Sequence, residues 1–334
     1  IEVLRDGSSA QYGSDAIAGV YNFNLKDNSS GGRVRVSYGQ ASEGDGETMV
    51  VDGNIGLPLT DNGFLSLSIT AEDQKGTIRT NDNRLNDLRG LGFNPRDPIV
   101  KWGQPGHEVL YTFWNAGLQL NDTTNAYLYG NYTRKDSFSD FGPRLGGHST
   151  GPQRGPFAAH RVFGGNADDD PSTYSNKDES EAYPGVYNLY ARFPNGFTPY
   201  FGAEIEDFST IVGVDGEFSN GITYDLSYRY GINIVDYYLH DTVNPSLGNE
   251  SPTSFRPGIL ENREWHASAD FGYQLETGLP SPVGIYWGAS LRDEAYSITQ
   301  GDTASWAVGP LTDRGVGSDG FAGLSPDSAG TLSG

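Results

Sequence analysis

Histidine, carboxylate and arginine clusters are the residues of this chain whose types could do chemistry. His107, His148, His160, His240 and His266 are its five histidines, and none of their spacings is that of a metal-ligand set. Cysteine is absent, so disulfides and thiolate ligands are excluded. Asp168, Asp169 and Asp170 form a carboxylate run without the spaced ligands, Gly and terminal Glu of a calcium loop, and read as a solvated charge cluster. Glycine pairs at 31–32, 146–147 and 164–165 make no nucleotide fingerprint. No catalytic constellation emerges, and neither a metal nor a cofactor is expected. One pattern remains: Arg144, His148, Arg154, His160 and Arg161 gather basic side chains in a chain with 22 Lys and Arg against 43 Asp and Glu. Such a patch could receive an anionic ligand, and the plainer reading is packing of loop cations on loop carboxylates.

The elements that position these residues follow from composition and period. A formal charge of −21 argues against a nucleic-acid partner and fits a solvated acidic surface. Gly 46, Tyr 20 and an aromatic share of 12% suit an all-β chain with many turns. The chain of 334 residues holds no run of 18 apolar residues, so a transmembrane helix is not expected. A mean hydropathy of −0.51 is compatible with a membrane barrel, whose strands are apolar only at alternate positions. The chain starts at Ile1 with neither Met nor a signal peptide, which reads as an internal cut.

Nine strand-like segments stand out. They are 32–39, 47–57, 64–73, 108–120, 124–135, 202–218, 222–235, 264–276 and 283–291. Several alternate strictly: Tyr224, Leu226, Tyr228, Tyr230, Ile232 and Ile234 oppose Asp225, Ser227, Arg229 and Asn233. The faces of 124–135 are ambiguous, because Tyr127 and Tyr129 oppose Ala126, Leu128 and Tyr132. Short turns near residues 61, 122, 220 and 280 alternate with long polar connections. Strands of this length exceed the usual ~5–6 residues of soluble sheets and match a tilted crossing of roughly 9–11. The turn asymmetry is that of an outer-membrane barrel. A soluble β-sandwich or propeller is the competing fold. Nine strands alone would leave two edges unpaired, which a bilayer does not tolerate, so the segment is expected to be incomplete.

The first 26 residues are of another kind. Glu2, Leu4-Arg5, Tyr12-Gly13, Ala16-Ile17, Gly19-Val20 and Asn22 stand in a register that resembles the C-terminal end of the plug domain in TonB-dependent receptors. Asp6-Gly7 and Ala18 depart from the pattern, where Gly-Pro and Gly are commoner. By residue type, Val3, Val20 and Phe23 suit short strands, Gly13 and Gly19 permit turns, and Ser8–Tyr12 suits one helical turn. Two further stretches resemble the family: 193–200 with Glu206–Ser209 looks like a barrel segment, and 244–248 with 251–255 looks like the loop after it.

The resemblance implies an all-β fold: a partial antiparallel transmembrane β-barrel, about nine strands of an expected 22. Residues 1–28 would be the end of a plug and 29–334 the first part of the barrel. It implies a non-enzymatic receptor in the outer membrane of a Gram-negative bacterium. Its partners would be outer-membrane lipid, a scarce small nutrient (ferric siderophore, cobalamin or carbohydrate) and the TonB energy-transducing complex, reached through a missing N-terminal segment. Glu2 and Arg5 on the plug, with Arg33, Arg35 and Arg229 on the wall, would form plug–barrel contacts. A passive channel or surface-binding barrel without energised transport is the alternative.

Overall fold

The computed structural model describes residues 2–5, 19–80, 85–86, 89, 94–143, 162–163, 187–188, 192–193, 195–244, 247 and 250–308. At the front, β1 (Glu2–Arg5) pairs antiparallel with β2 (Gly19–Asn22), Glu2 opposite Asn22. The valines expected in short strands lie in them, and Phe23 falls just past the second. Gly19 has φ 143°, a backbone that needs glycine. The helical turn expected at 8–12 lies outside the described residues.

The rest is one antiparallel meander. In chain order come β3 (Gly32–Gly39), β4 (Thr48–Thr60), β5 (Gly63–Gln74), β6 (Gly106–Asn121) and β7 (Thr124–Asp140). A two-residue pair, β8 (Val162–Phe163) and β9 (Tyr187–Asn188), stands apart from the sheet. Then follow β10 (Tyr200–Glu217), β11 (Ile222–His240), β12 (Phe255–Leu275) and β13 (Val283–Gln300). The nine long strands lie in chain order from β3 at one edge to β13 at the other. This architecture matches a partial β-barrel, and each of the nine expected strands is present.

Turn chemistry sets the register at the tight ends. Asn121 Oδ1 accepts from the Thr123 amide at 3.0 Å, and Asn220 Oδ1 accepts from the Ile222 amide at 3.2 Å. Gly221, at φ 80°, completes the second turn. All the longer connections leave from the opposite end of the sheet.

Pairing separates two faces. One row runs Leu57, Leu65, Ala116, Leu128, Val212, Tyr228, Ala267 and Leu291 across eight strands. On the other face a row runs Arg35, Asp52, Thr70, Tyr111, Thr133, Asp207, Asn233, Asn262 and Tyr296 across all nine. Register also settles β7: Ala126, Leu128 and Tyr132 join the apolar face, while Tyr127 and Tyr129 join the polar one. There the Tyr127 hydroxyl reaches across β10 to donate to Asp225 Oδ1 at 2.7 Å.

Among the described residues the apolar face has no packing partner. Val34, Val212, Leu226 and Leu291 are exposed at 76%, 49%, 40% and 69%. It also ends at a common level. Beyond Ile234, Phe208, Trp265 and Leu110, toward the long loops, the same face carries Asp236, Glu206, Arg263 and Glu108. Along β11 the apolar stretch Tyr224–Ile234 spans roughly 34 Å, or ~25 Å in height when tilted by about 40–45°.

Four strands run further toward the loops than alternation indicates: β7 to Asp140, β11 to His240, β13 to Gln300, and β12 from Phe255. In these extensions both faces are polar or mixed, so pairing persists where the period has lost contrast. The buried residues gather at this end. Ile99, Val100, Leu239, Val243 and Phe255 are each at most 2% exposed. Thr198 Oγ1 donates to the Ile99 carbonyl at 2.6 Å, Asp140 accepts from Arg96 and from the Lys101 amide, and Asn244 Nδ2 donates to the Ala304 and Ala307 carbonyls at 2.9 Å each. Those carbonyls belong to α1 (Thr303–Trp306) and the residue after it.

Candidate functional site

The polar face carries the candidate site, because the chain between β2 and β3 is laid against it. Three backbone or side-chain oxygens of that segment are held by three strands. Ser66 Oγ of β5 donates to Asn28 Oδ1 at 2.8 Å, and Asn115 Nδ2 of β6 donates to the Lys26 carbonyl at 2.9 Å. The Gly56 amide of β4 donates to the Gly31 carbonyl at 2.8 Å. Asn54 Nδ2 braces the same cluster through Ser66 Oγ at 3.0 Å and Ser68 Oγ at 3.1 Å. Ser66 and Asn115 are buried under the segment, at 2% and 8% exposed. Gly56 makes the approach possible, since a Cβ there would lie 2.4 Å from Asn28 atoms.

Beside this seat lies a pocket of about 230 Å³ lined by Lys26, Arg33, Arg35, Asp52, Gly53 and Asn54. Arg35 Nε donates to Asp52 Oδ2 at 2.7 Å. Further along the polar face, Arg229 and Arg292 share Glu264, each at 2.5 Å, and His266 stands between those arginines in register. Asp207 accepts from Asn131 at 2.9 Å and from Asn233 at 3.4 Å, so the inner wall is a chain of charge and amide pairs.

A larger concavity, about 640 Å³, opens on the other face where the apolar stretch ends. Its floor is Met49, Val51, Ala71 and Leu110, and its charged rim includes Glu108, Arg134, Asp136 and Glu204. Most of the rim is internally paired: Glu204 pairs with Arg134 at 3.6 Å and Arg256 at 2.6 Å, and Tyr238 donates to Asp136 at 2.6 Å. Size alone favours it, but the smaller pocket gathers cations, of which Lys26 and Arg33 have no ion pair among the described residues, and it is taken as the site.

In the loops, Asp45 Oδ2 accepts from the Arg79 guanidinium at 2.7 Å and from the Ile78 amide at 2.6 Å. Hydrogen bonding from Arg79, then from Ile78, holds the Asp45 carboxyl below the usual range against an opposing push from burial. Glu43 is lowered as well, first by Ser42 and then by its own backbone and Arg79.

Of the residues singled out from sequence, Arg33 and Arg35 line the pocket, and Arg229 lies on the same polar face, paired with Glu264. Arg144, His148, Arg154, His160 and Arg161 lie outside the described residues, as do the side chains of Glu2 and Arg5. Sequence reading passed over Lys26, Asn28, Gly56, Ser66 and Asn115. Their signal is faint: a glycine and small amides in the polar phase of strands that could equally face water.

No protein-family model matches the chain. Among solved structures it is similar to a mutant of the ferric enterobactin receptor PfeA from Pseudomonas aeruginosa, with 13% identity and a TM-score of 0.47, over 91% of this chain and 36% of that one. It is also similar to the ferric yersiniabactin uptake receptor FyuA from Yersinia pestis, with 10% identity, a TM-score of 0.25, and 89% and 48% covered. A third is the CymD monoaromatic hydrocarbon channel, with 9% identity, a TM-score of 0.22, and 80% and 76% covered. The chain thus spans between a third and a half of the two receptors' lengths.

Proposed function

We propose that this chain is part of a TonB-dependent receptor of the Gram-negative outer membrane, with residues 1–28 ending a plug domain and 29–334 beginning the barrel. It would take up a scarce nutrient, a ferric siderophore, cobalamin or a carbohydrate, with energy relayed through TonB. The observation that carries this reading is the division of the sheet. Among the described residues no protein lies against an apolar face that spans eight strands, while the opposite face holds the N-terminal segment through Ser66 and Asn115. An unpacked apolar face of this extent is far beyond the few hundred Å² that soluble monomers leave exposed, and hydrocarbon is the solvent that suits it.

The plug-like register of residues 1–26 favours energised uptake over a passive channel, because a channel has no need of a segment led into its lumen. The segment at 26–31 meets the strands through hydrogen bonds, Ser66 to Asn28, Asn115 to Lys26 and Gly56 to Gly31, an interface that wets and releases more readily than a packed core. The test is uptake by the complete gene product in hosts with and without functional TonB, under iron limitation and under glycan limitation. Uptake that needs TonB supports the reading. Equal uptake in both hosts would leave the passive channel, and induction by a glycan alone would remove the siderophore as substrate.

A further inference from the structure

The pocket beside the lodged segment has an electrostatic character at odds with the rest of the molecule. The chain carries −21, yet this pocket is lined by Lys26, Arg33 and Arg35 against one carboxylate, Asp52. Asp52 is committed to Arg35 at 2.7 Å. Among the described residues no ion pair involves Lys26 or Arg33, so the pocket keeps a local excess of two positive charges. The distant acidic surface does not cancel it, because exposed charges are screened beyond ~10 Å at about 0.1 M salt.

The site is also assembled rather than incidental. Arg33 and Arg35 project from alternate positions of one strand onto one face, with Ser37 following. Lys26 joins them because its own carbonyl is fixed by Asn115 and its neighbour Asn28 by Ser66. Remove the lodged segment and one of the three cations leaves.

We propose that Lys26, Arg33 and Arg35 bind a small free anion bearing carboxylate or phosphate groups. A volume of about 230 Å³ is below the ~300–1,000 Å³ of pockets for drug-sized ligands, so it takes a compact anion and not a whole chelate. Two arginine forks and an ammonium suit such oxygens through charge-assisted hydrogen bonds. The site does not depend on the transport reading, since it needs only that the polar face be wet.

The test uses the complete gene product in detergent, titrated calorimetrically with citrate and with inorganic phosphate. We expect saturable binding of at least one, weakened about tenfold or more by Arg33→Gln and by Lys26→Gln, as loss of ~1.4 kcal/mol of charge-assisted bonding implies. Arg263→Gln, on the opposite face, should leave it unchanged. In the unaltered protein, acylation of the Lys26 amine, read by mass spectrometry, should slow when citrate is added. This second readout needs no variant to fold. Binding that survives both substitutions overturns the proposal. So does a Lys26 amine already protected without citrate, which would mean that a carboxylate of the protein occupies the pocket. Failure of TonB-dependent uptake would leave this result untouched.

Discussion

Gly56 and Asp45 show how much single residues decide here. A side chain at Gly56 would displace Asn28, whose atoms lie 2.4 Å from the Cβ position. We expect Gly56→Val to destabilise the fold by roughly 1–3 kcal/mol, as overpacking does, whereas Gly39→Ala, with nothing within 4 Å, should change little. Denaturant titration of the two variants separates them. The Asp45 clamp gives a pH dependence. Its folded-state pKa is depressed, so its contribution is present above the unfolded value of about 3.9 and is lost as pH falls through the folded one. Exchange of the Ile78 amide, corrected for intrinsic rate, should therefore accelerate below about pH 4 and stay slow above it. Acceleration that begins near neutrality would contradict this. Neither residue was conspicuous in sequence, because an acidic loop residue and a strand glycine have many bland explanations.

Strands were the most legible level. All nine could be read from alternation, and several were bounded correctly at their tight ends, where Asn-Gly and Asn-Asp turns punctuate the chain. The loop-side ends were not legible, for a physical reason. Along β11 the contrast stops at Ile234, and Asp236 then replaces an apolar residue on the same face. Under the membrane reading proposed above, neither face meets hydrocarbon beyond that level, so nothing there imposes a period, and hydrogen bonding alone continues the strand. The same logic yields a prediction. Tyr228→Arg, in the middle of the apolar stretch, should cost roughly 2–4 kcal/mol on folding into lipid vesicles. An arginine at Ile259, above it on the same face, should cost at most ~1 kcal/mol. Equal costs at the two positions would show that the apolar face does not cross hydrocarbon.

At the scale of the molecule, the sheet has two solutions to burial instead of one core. Its apolar face is left for a solvent other than water, and its polar face is satisfied by amide, hydroxyl and ion pairs, with the N-terminal segment folded into the network. The pairing of the short strands at 2–5 and 19–22 agrees with the residue types there, but the seat of residues 26–28 on β5 and β6 could not be read, since small polar residues carry no direction in sequence. The central claim is this assignment of faces, and the absence of cysteine from these 334 residues makes it directly measurable once any cysteine elsewhere in the gene product is replaced by serine. Leu226→Cys and Asp225→Cys, adjacent on β11 and on opposite faces, would be placed in the complete gene product in membranes and challenged with a charged maleimide. We expect Asp225→Cys to react and Leu226→Cys to be shielded until detergent strips the lipid. Equal reaction of both in intact membranes, or shielding of Asp225→Cys alone, would contradict the assignment and the receptor reading built on it.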